Sequence, residues 1–461
     1  MMAMIAEVRK LLDEKKYREL RDLLCEEEPA DIAQIFDQFP KDEVPLMFRV
    51  LHKDFASEVF VEMESDLQQA LIEGFTDNEL SEIMNDLFLD DTVDVIEEMP
   101  ASVVRRIIKT ADAERRRQIN KLLNYPEDSA GTIMTTEFVR LKPQFTVADA
   151  FKTIRRQGVD KETIYTCYVT DEHRVLLGVV TVKQMLLAEE DTLLSEIMTE
   201  DPIFAHTDDD RKDVSLAMSK YDFLAMPIVD SEQRLVGIVT VDDALDVIQE
   251  EDTEDIEMMA AITPTDKPYL KTGVFETWKS RIPWLLILMI SATFTSKILT
   301  HFEGSLATLP VLTAFVPLLM GTGGNAGSQA SVSVIRALSL GDVQMRDFGK
   351  VLLKEAIVSL LCGISLGIVN FGKMYLFNDV NRTEHGLQVS IAVSLVVSIA
   401  IAITVIIAKI SGGMLPILVK RIGLDPAVMA SPLITTIVDV LSLLVYLGIA
   451  QNILRMFGIN I

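Results

Sequence analysis

The spacing of apolar residues divides the chain into stretches with different periods. From residue 1 to about 128, apolar side chains recur every three or four positions, which predicts helices throughout. From 129 to 250, β-branched runs alternate with helical stretches, and beyond residue 282 five long apolar segments follow. We therefore predict a multidomain chain: an all-α N-terminal domain (1–128), an α/β module (129–250), an acidic connector with a connecting helix (251–282) and a transmembrane domain of five helices (283–461).

The N-terminal stretch contains a weak internal repeat. DIAQIFDQFP at 31–40 matches DTVDVIEEMP at 91–100, and each copy opens with an Asp suited to an N-cap and ends in Pro. Stacked helical hairpins forming a short superhelix are the predicted arrangement. The predicted helical segments are Ile5–Leu24, Asp31–Phe39, Glu43–Leu51, Leu67–Gly74, Asn78–Leu87 and Val93–Met99.

The α/β stretch is a clear duplication. CYVTDEHRVLLGVVTVKQML at 167–186 matches PIVDSEQRLVGIVTVDDAL at 227–245, so that Asp171 corresponds to Asp230 and Gly178 to Gly237. Each unit predicts a strand, a helix, a strand, a polar turn opened by the Asp, a strand and a helix. This arrangement resembles a tandem module of the cystathionine-β-synthase (CBS) type, and a generic duplicated α/β domain is the alternative.

The apolar segments and the basic residues between them predict an orientation in the membrane. The predicted spans are 283–302, 306–335, 351–373, 387–408 and 426–454. The second connection holds Arg336, Arg346, Lys350 and Lys354, and the fourth holds Lys409, Lys420 and Arg421. By the positive-inside rule both connections and the N-terminus face the cytoplasm, which places the C-terminus outside.

Charge is divided unevenly between the two halves. The net charge is −26, with −31 in residues 1–270 and +5 in the remainder. An acidic soluble half argues against nucleic acid as a partner and favours cations, although an acidic surface that serves only solubility is the alternative. The three cysteines share no metal-like spacing, and the N-terminus lacks the apolar core of a signal peptide, which predicts a cytoplasmic N-terminal half.

Asp439 is the only charged residue between Pro426 and Leu454. An ionised Asp near the middle of a membrane helix costs about 3 kcal/mol or more unless it is paired, hydrated or bound to a cation. No Lys or Arg lies in the central part of any predicted span. Cation binding is therefore the leading interpretation of Asp439.

The second span carries four glycines in seven residues, Gly321 to Gly327, shortly after Pro317. We expect Pro317 and these glycines to break the helix and to free carbonyl oxygens, which can coordinate cations where they line a cavity. Close helix packing through small residues is the alternative. A wall of an ion path, with Gly323, Gly324 and Asn325 in it, is the favoured interpretation.

The fifth span predicts a track of oxygen atoms. Asp425 and Asp439 are 14 residues apart. On one helix they lie on nearly the same face and about 21 Å apart along the axis. Thr435 and Thr436 fall on the turn before Asp439. Asp425 also suits a helix N-cap before Pro426, a role compatible with an ionic one.

Nine acids in sixteen residues mark the end of the second repeat and the connector. They are Asp242, Asp243, Asp246, Glu250, Glu251, Asp252, Glu254, Asp255 and Glu257. Like charges at helical spacing destabilise a helix by about 0.3 kcal/mol per pair. A divalent cation bound between them turns this repulsion into net attraction. A solvated charged helix is the alternative.

The chain resembles the MgtE-type magnesium channels and transporters of prokaryotes. The motifs that carry the resemblance are PLLMGTGGNAGSQAS at 317–331, DPAVMASPLITTIVD at 425–439 and YPEDSAGTIMT at 125–135, together with the duplicated CBS units. Order and length match over nearly the whole chain, and the N-terminal helical domain matches only in character.

This resemblance implies a homodimer in a prokaryotic plasma membrane, with the ion path at the subunit interface. Asp439 of each subunit would hold hydrated Mg²⁺, and Asn325 with the Gly323–Gly324 turn would line the path. Cytoplasmic Mg²⁺ would bridge acidic faces of the N domain, the CBS module and the connecting helix and so close the pore. The matching acids are Asp90, Asp94, Asp222, Asp243, Asp246, Glu251, Glu254, Asp255 and Asp425.

The resemblance also implies a nucleotide ligand. CBS modules often hold the ribose of an adenine nucleotide with a Thr/Ser-x-x-Asp segment. The second repeat has Thr240-x-x-Asp243, whereas the first has Thr181-x-x-Gln184, which departs from the pattern. ATP is therefore a second expected ligand, at a place where Asp243 also serves Mg²⁺.

Two other classes of function stay open at this point. One is transport of other divalent cations such as Co²⁺ or Mn²⁺, or transport coupled to Na⁺ or H⁺, which oxygen ligands alone do not separate from Mg²⁺ transport. The other is a membrane-anchored sensor, but an anchor needs neither Asp439 nor the glycine segment. The five scattered histidines form no catalytic arrangement, so we do not expect an enzyme.

Overall fold

The computed structural model describes residues 1–265, 267, 269–377, 379–380, 386–429 and 431–456. It divides into two compact units, Met1–Ile248 and Gln249–Ile461, which we call unit 1 and unit 2.

Unit 1 begins with ten α-helices in residues 1–128, a part of the chain whose backbone is described throughout. These are α1 (Met2–Asp13), α2 (Tyr17–Leu24), α3 (Pro29–Phe36), α4 (Val44–Phe48), α5 (Lys53–Val61), α6 (Ser65–Gly74), α7 (Asp77–Asp86), α8 (Leu89–Glu98), α9 (Ala101–Thr110) and α10 (Ala113–Leu122). The predicted single helix Ile5–Leu24 is wrong, because the chain turns at Lys15 with φ of 54° and separates α1 from α2. Helices α5, α9 and α10 were missing from the sequence prediction.

The rest of unit 1 is the duplicated α/β module, in the element order that the sequence predicts, and its last helix continues past Ile248 into unit 2. Its elements are β1 (Phe138–Leu141), α11 (Val147–Gln157), a 3₁₀ helix (Gly158–Asp160), β2 (Thr163–Thr170), β3 (Leu176–Thr181), α12 (Val182–Leu187), α13 (Leu194–Ile197), β4 (Thr199–Glu200), β5 (Ala205–His206), α14 (Arg211–Tyr221), β6 (Ala225–Val229), β7 (Leu235–Thr240) and α15 (Val241–Met259). One sheet has the order β1-β2-β3-β4 and the other β5-β6-β7. In each, the first pair of strands is parallel and the second antiparallel.

The residues shared by the two repeats have the same structural roles. Asp171 Oδ1 accepts hydrogen bonds from the backbone of His173 and Val175, both at 2.8 Å, and Asp230 closes the equivalent turn in the second repeat. A Cβ at Gly178 would lie 2.8 Å from the carbonyl oxygen of Thr199, so only glycine fits there. The repeated sequence is thus explained by backbone geometry.

Unit 2 consists mainly of long helices. They are α16 (Val274–His301), α17 (Glu303–Thr308), α18 (Val316–Ser339), α19 (Phe348–Phe377), α20 (Leu387–Arg421) and α21 (Ser431–Met456), with 3₁₀ helices at Pro310–Phe315, Met345–Asp347 and Pro426–Met429. Within the described ranges, four helices are long and apolar enough to cross a membrane, namely α16, α19, α20 and α21. Helix α18 is not among them, so a count of five spans stays a prediction.

Two predictions about helix ends in unit 2 are wrong. Pro317 lies in the first turn of α18, where no backbone N–H is required, and the helix continues through the whole glycine segment without a break. Helix α20 runs on to Arg421 instead of ending near residue 408. Lys409 is therefore a helical residue with only 7% exposure and does not lie in a connecting loop.

Candidate cation sites

Asp439 lies in α21, partly buried against the neighbouring helices. Its Oδ1 atom is buried, and no hydrogen bond to it is found within the described part of the chain. The Thr404 hydroxyl oxygen on α20 is also buried without a hydrogen-bond partner among the described residues. A buried carboxylate oxygen without a donor is costly, so Asp439 is a place where a cation and its water molecules lower the free energy.

The glycines of α18 permit close contact with α20 and α21. A Cβ at Gly323 would lie 2.7 Å from Ser442 Oγ and 2.7 Å from Thr404 Cγ2, and one at Gly324 would lie 2.9 Å from Thr435 Cγ2. The close-packing interpretation of Gly323 and Gly324 is therefore confirmed. The predicted helix break and free carbonyls are wrong, because α18 uses these carbonyls in its own ladder of hydrogen bonds.

The other predicted pore residues lie near this contact. Asn325 is exposed on α18, and Thr436 on α21 donates its hydroxyl hydrogen to the carbonyl oxygen of Pro432 at 3.0 Å. Thr435 lies one turn before Asp439 and faces Gly324. The structure thus brings Gly324, Thr435 and Asp439 to adjoining turns of α18 and α21.

Asp425 lies outside α21, in contrast to the predicted common helix face. It is exposed, and its Oδ1 accepts a hydrogen bond from the backbone of Ala427 at 2.6 Å at the start of the 3₁₀ helix Pro426–Met429. The expected N-cap role is confirmed. The expected rise of one continuous helix from Asp425 to Asp439 is wrong, because Pro426 directs the chain into a 3₁₀ turn first.

The acidic C-terminal end of α15 belongs to unit 2, where it contacts the end of α18. Ser339 Oγ, at the C-terminal end of α18, donates a hydrogen bond to Asp255 Oδ2 at 2.9 Å. Beside it is a small apolar cluster of Met258 and Met259 from α15, Ile335 from α18 and Ala427. Asp255 is thereby held near the loop that carries Asp425. Glu254 is next to it in α15, and Glu251 is one turn earlier.

A second group of acids, in unit 1, is crowded around a buried centre. Asp90 of α8 is only 5% exposed. Neither its Oδ1 nor Glu162 Oε2 has a hydrogen-bond partner among the described residues. Asp91 of α8 and Asp243 of α15 interact electrostatically with both groups, and the exposed Asp242 of α15 interacts with Glu162. We call these five residues the buried acid group.

The protonation of the buried acid group shows how strongly its members affect one another. Burial, followed by the charges of Asp91, Asp242 and Asp243, raises the pKa of Glu162 to about 8. Burial is also the main cause that raises the pKa of Asp243 to about 7 and the pKa of Asp91 to about 6. Burial and the neighbouring charge of Asp243 hold the pKa of Asp90 well above its usual range. The site therefore favours added positive charge.

The remaining predicted acids lie on exposed surfaces. Asp94 is exposed on α8, one turn after Asp90, and Asp246 is exposed on α15, where burial and the charge of Asp242 raise its pKa. Asp222 is exposed and ends α14 in a left-handed conformation with φ of 56°, a position that Asp tolerates. No three acidic, histidine or cysteine side chains form a ready-made metal-binding group in the described ranges.

Asp243 also belongs to the predicted nucleotide segment. Thr240 Oγ1 donates a hydrogen bond to Asp243 Oδ2 at 2.5 Å, which orients the carboxylate at the start of α15. In the first repeat, Thr181 and Gln184 form a reciprocal capping box at the start of α12. The departure at Gln184 therefore has a structural role.

Three members of the buried acid group were not among the matching acids named from the sequence: Asp91, Glu162 and Asp242. Asp91 and Asp242 adjoin predicted residues, and their place in acidic runs was a usable signal. Glu162 precedes β2, and only the fold brings it to α8 and α15. No local pattern marks it.

Models of known families match most of this chain. Residues 27–128 match the MgtE intracellular N domain, residues 130–191 and 194–250 match CBS domains, and residues 316–449 match the MgtE divalent cation transporter domain.

Curated relatives match the chain over nearly its full length. The magnesium transporter MgtE of Thermus thermophilus is 36% identical over 448 residues, which cover 96% of this chain and 97% of that protein. The magnesium transporter MgtE of Bacillus subtilis is 30% identical over 95% of each chain.

Two solved structures match the N-terminal half. One is the cytosolic domain of the Mg²⁺ channel MgtE in complex with ATP, with 34% identity and a TM-score of 0.50 over 53% of this chain and 99% of that one. The other is the soluble part of a magnesium transporter, with 29% identity and a TM-score of 0.51 over 54% and 99%.

Proposed function

Since the chain belongs to the MgtE family of magnesium transporters, we propose that Mg²⁺ crosses the membrane past Asp439 and that Mg²⁺ bound to the cytoplasmic acids closes this path. The protein is a Mg²⁺ transporter with an N domain, a CBS pair and a helical membrane region, and it is not an enzyme. The proposal concerns the path, the dimer and the gate.

The observation that carries the path is the buried, unpartnered Oδ1 of Asp439 in the part of the chain that is described. Mg²⁺ gives up its water reluctantly and is often held by one or two carboxylates through those waters. A homodimer with the pore at the subunit interface supplies one Asp439 from each copy. Gly323, Gly324, Asn325, Thr435 and Thr436 are the proposed lining.

A site with so few carboxylates is suited to passage. Two carboxylates attract a hydrated divalent ion, but there are too few direct ligands to retain it. Conduction needs a site that is attractive enough to be entered and weak enough to be left. Selection for Mg²⁺ then depends on the size and hydration of the ion.

We propose that the cytoplasmic acids form the gate, which closes when they bind Mg²⁺. Two carboxylates about 6 Å apart repel each other by roughly 3 kcal/mol at an effective dielectric constant of about 20. Mg²⁺ that binds only the closed arrangement cancels such repulsion and shifts the equilibrium towards closure. The proposed sensing acids are Asp90, Asp94, Asp222, Asp243, Asp246, Glu251, Glu254, Asp255 and Asp425, to which the structure adds Asp91, Glu162 and Asp242 as neighbours.

Helix α15 is the proposed mechanical link. It is a single helix that carries Asp243 in its first turn and Asp255 near its last. A change in the position of its first turn is therefore passed along a rigid element to the Ser339 contact. The outcome is feedback, in which the transported ion closes its own route of entry.

We also propose that ATP binds the CBS pair near Thr240 and Asp243. The support is the structure of a related cytosolic domain in complex with ATP, with 34% identity to this chain. Because Asp243 belongs to the buried acid group, nucleotide and Mg²⁺ then act on one carboxylate. We further propose five membrane spans, a prokaryotic plasma membrane, a cytoplasmic N-terminus and an external C-terminus.

The test is Mg²⁺ flux into proteoliposomes at low Mg²⁺ on the cytoplasmic face. Wild type is expected to conduct, and Asp439→Asn is expected to lose flux while it remains folded. Asp379→Asn is the matched control, because Asp379 is also in unit 2 but forms an ion pair with Lys373 at 3.0 Å. Equal flux in wild type and Asp439→Asn would remove Asp439 from the path.

A further inference from the structure

Two adjoining cavities form a groove between α18 and α19, on residues to which the proposed transport assigns no role. Their volumes are about 610 and 760 Å³, which is the size of a small-molecule site. Both cavities are lined by Ser333, Lys354 and Glu355. The groove therefore continues from one cavity into the other.

The groove has two charged residues deep in its wall. Glu355 is 9% exposed and Lys409 is 7% exposed. Lys409 Nζ donates a hydrogen bond to Gln329 Oε1 at 3.4 Å, whereas in the described ranges no hydrogen bond or ion pair reaches the Glu355 carboxylate. Glu355 lines both cavities, so its carboxylate is available to a donor from outside the protein.

Packing against α20 holds the Glu355 side chain in the groove. A Cβ at Gly413 would lie 2.9 Å from Glu355 Cγ, so glycine at this position leaves the space that Glu355 occupies. Lys409 is one turn before Gly413 on the same helix. The acid and the base are thus near neighbours, and both line the larger cavity.

The other end of the groove carries charges of both signs. Arg346, Lys350 and Lys354 line the smaller cavity, together with the acids Asp342 and Asp347. Asp347 is already paired with Lys350 at 2.7 Å. This end lies where α18 ends and α19 begins, which the positive-inside pattern places on the cytoplasmic side.

An apolar face lies beside the groove. Leu353, Ile357 and Leu361 of α19 follow at intervals of four residues and are all more than half exposed. Val332 and Val358, which line the larger cavity, are also exposed. In a membrane helix such a face is suited to acyl chains, so the polar groove opens next to a surface fit for lipid.

The charges decide which head group fits. An anion alone would satisfy Lys354 and Lys409 but would leave Glu355 without a donor. A metal cation alone would meet two ammonium groups. A zwitterion that carries both a phosphate and a primary ammonium compensates all three, because its N–H groups can donate to Glu355 and its phosphate can accept from the lysines.

We propose that the groove binds the head group of an aminophospholipid with a primary ammonium, such as phosphatidylethanolamine, from the cytoplasmic leaflet. The ammonium donates to Glu355, and the phosphate accepts from Lys409 and Lys354. Basic pockets between membrane helices are known to take lipid head groups, and the buried acid adds selectivity for the amine. This inference does not depend on the path of Mg²⁺.

The first test uses the wild-type protein alone. Native mass spectrometry in detergent measures retained lipid after addition of phosphatidylethanolamine or its mono-, di- and trimethyl forms, the last being phosphatidylcholine. Retention is expected to fall with each methyl group and to be about tenfold lower for phosphatidylcholine, which has no N–H donor for the carboxylate. Equal retention across the series would overturn the proposal.

The second test uses Glu355→Gln with Glu303→Gln as the control, since Glu303 is an exposed acid on α17 in the same unit. Glu355→Gln is expected to lose the difference between phosphatidylethanolamine and phosphatidylcholine, and Glu303→Gln is expected to keep it. Preferential retention of phosphatidylglycerol by both variants and by wild type would show a site for anions only. A change of oligomeric state in Glu355→Gln would show instead that a second copy covers the groove. If Glu355→Gln does not fold, the methyl series on wild type still decides.

Discussion

The buried acid group of unit 1 and Asp439 of unit 2 are two opposite ways of placing carboxylates. In unit 1, five acids from α8, α15 and the segment before β2 lie close together, and after burial the charges of neighbouring acids contribute to the raised pKa values of Asp90 and Glu162. In unit 2, Asp439 is the only acid between Pro426 and Leu454. Within one copy of the chain, burial is common to both regions, but mutual repulsion of carboxylates belongs to the first alone.

This difference matches two different tasks for the same ion. A crowded group gains free energy from a divalent cation twice, through direct attraction and through relief of repulsion, and it therefore binds the cation more tightly. A single carboxylate gains only the attraction and releases the ion easily. We therefore assign sensing to the crowded group and passage to the single acid.

The largest expected effect separates the two tasks. The double variant Asp90→Asn/Asp243→Asn is expected to keep conducting at a cytoplasmic Mg²⁺ level that closes wild type, with flux about tenfold higher, equivalent to about 1.4 kcal/mol. Proteoliposome flux against cytoplasmic Mg²⁺ measures this. Asp191→Asn, at an exposed acid of the CBS pair, is the control. Closure of the double variant at the wild-type Mg²⁺ level would contradict the assignment of sensing.

A smaller effect concerns stability without Mg²⁺. Asp90→Asn removes one buried, repelled charge, so the melting temperature at pH 8 in a chelator is expected to rise, by about 2–4 °C for each kcal/mol recovered. Added Mg²⁺ is expected to stabilise wild type and to stabilise the variant less. Melting curves with and without Mg²⁺ test both statements. A variant that melts lower than wild type in the chelator would show that Asp90 is compensated in the absence of the ion.

The pH dependence of stability without Mg²⁺ is expected to reflect the titration of the buried acid group. The pKa values of Glu162 and Asp243 are raised to about 8 and about 7, whereas an unfolded chain titrates these acids near 4. The folded state therefore binds more protons between about pH 4 and 8, so Mg²⁺-free stability falls as pH rises through this window. Mg²⁺ competes with these protons, and its stabilising effect is expected to be larger at pH 8 than at pH 6. Glu162→Gln should reduce this difference, which melting curves at the two pH values would show.

The sequence was informative where local pattern and function coincide. The duplicated turns opened by Asp171 and Asp230 were predictable, because a short-range hydrogen bond determines each turn. Asp439 could be singled out as a candidate site because a charge in an apolar run needs a physical reason. Glu162 was not, since its importance arises only from contacts with residues distant in sequence.

The glycine segment shows why one interpretation from the sequence was wrong. Glycine weakens a helix in water, which suggested a break. In a packed bundle the missing side chain is an advantage, because a Cβ at Gly412 would lie only 2.2 Å from the carbonyl oxygen of Gly327. Close approach of α18 and α20 therefore outweighs the low helix propensity. Lys409 was predicted to lie in a connection because it is charged, but helix α20 continues through it.

The smallest effect tests how far the two regions are coupled through α15. The hydrogen bond from Ser339 Oγ to Asp255 Oδ2 at 2.9 Å holds the acidic end of α15 on α18. A hydrogen bond to a charged group contributes about 1.5–3 kcal/mol when buried and less where water competes, as at this half-buried pair. Ser339→Ala is therefore expected to raise the cytoplasmic Mg²⁺ needed for half-closure by about threefold, or roughly 0.7 kcal/mol. Ser280→Ala is the control, because Ser280 Oγ donates only to the nearby carbonyl of Thr277. An unchanged midpoint in Ser339→Ala, with the control also unchanged, would mean that α15 acts on the membrane helices through its apolar contacts and not through Asp255.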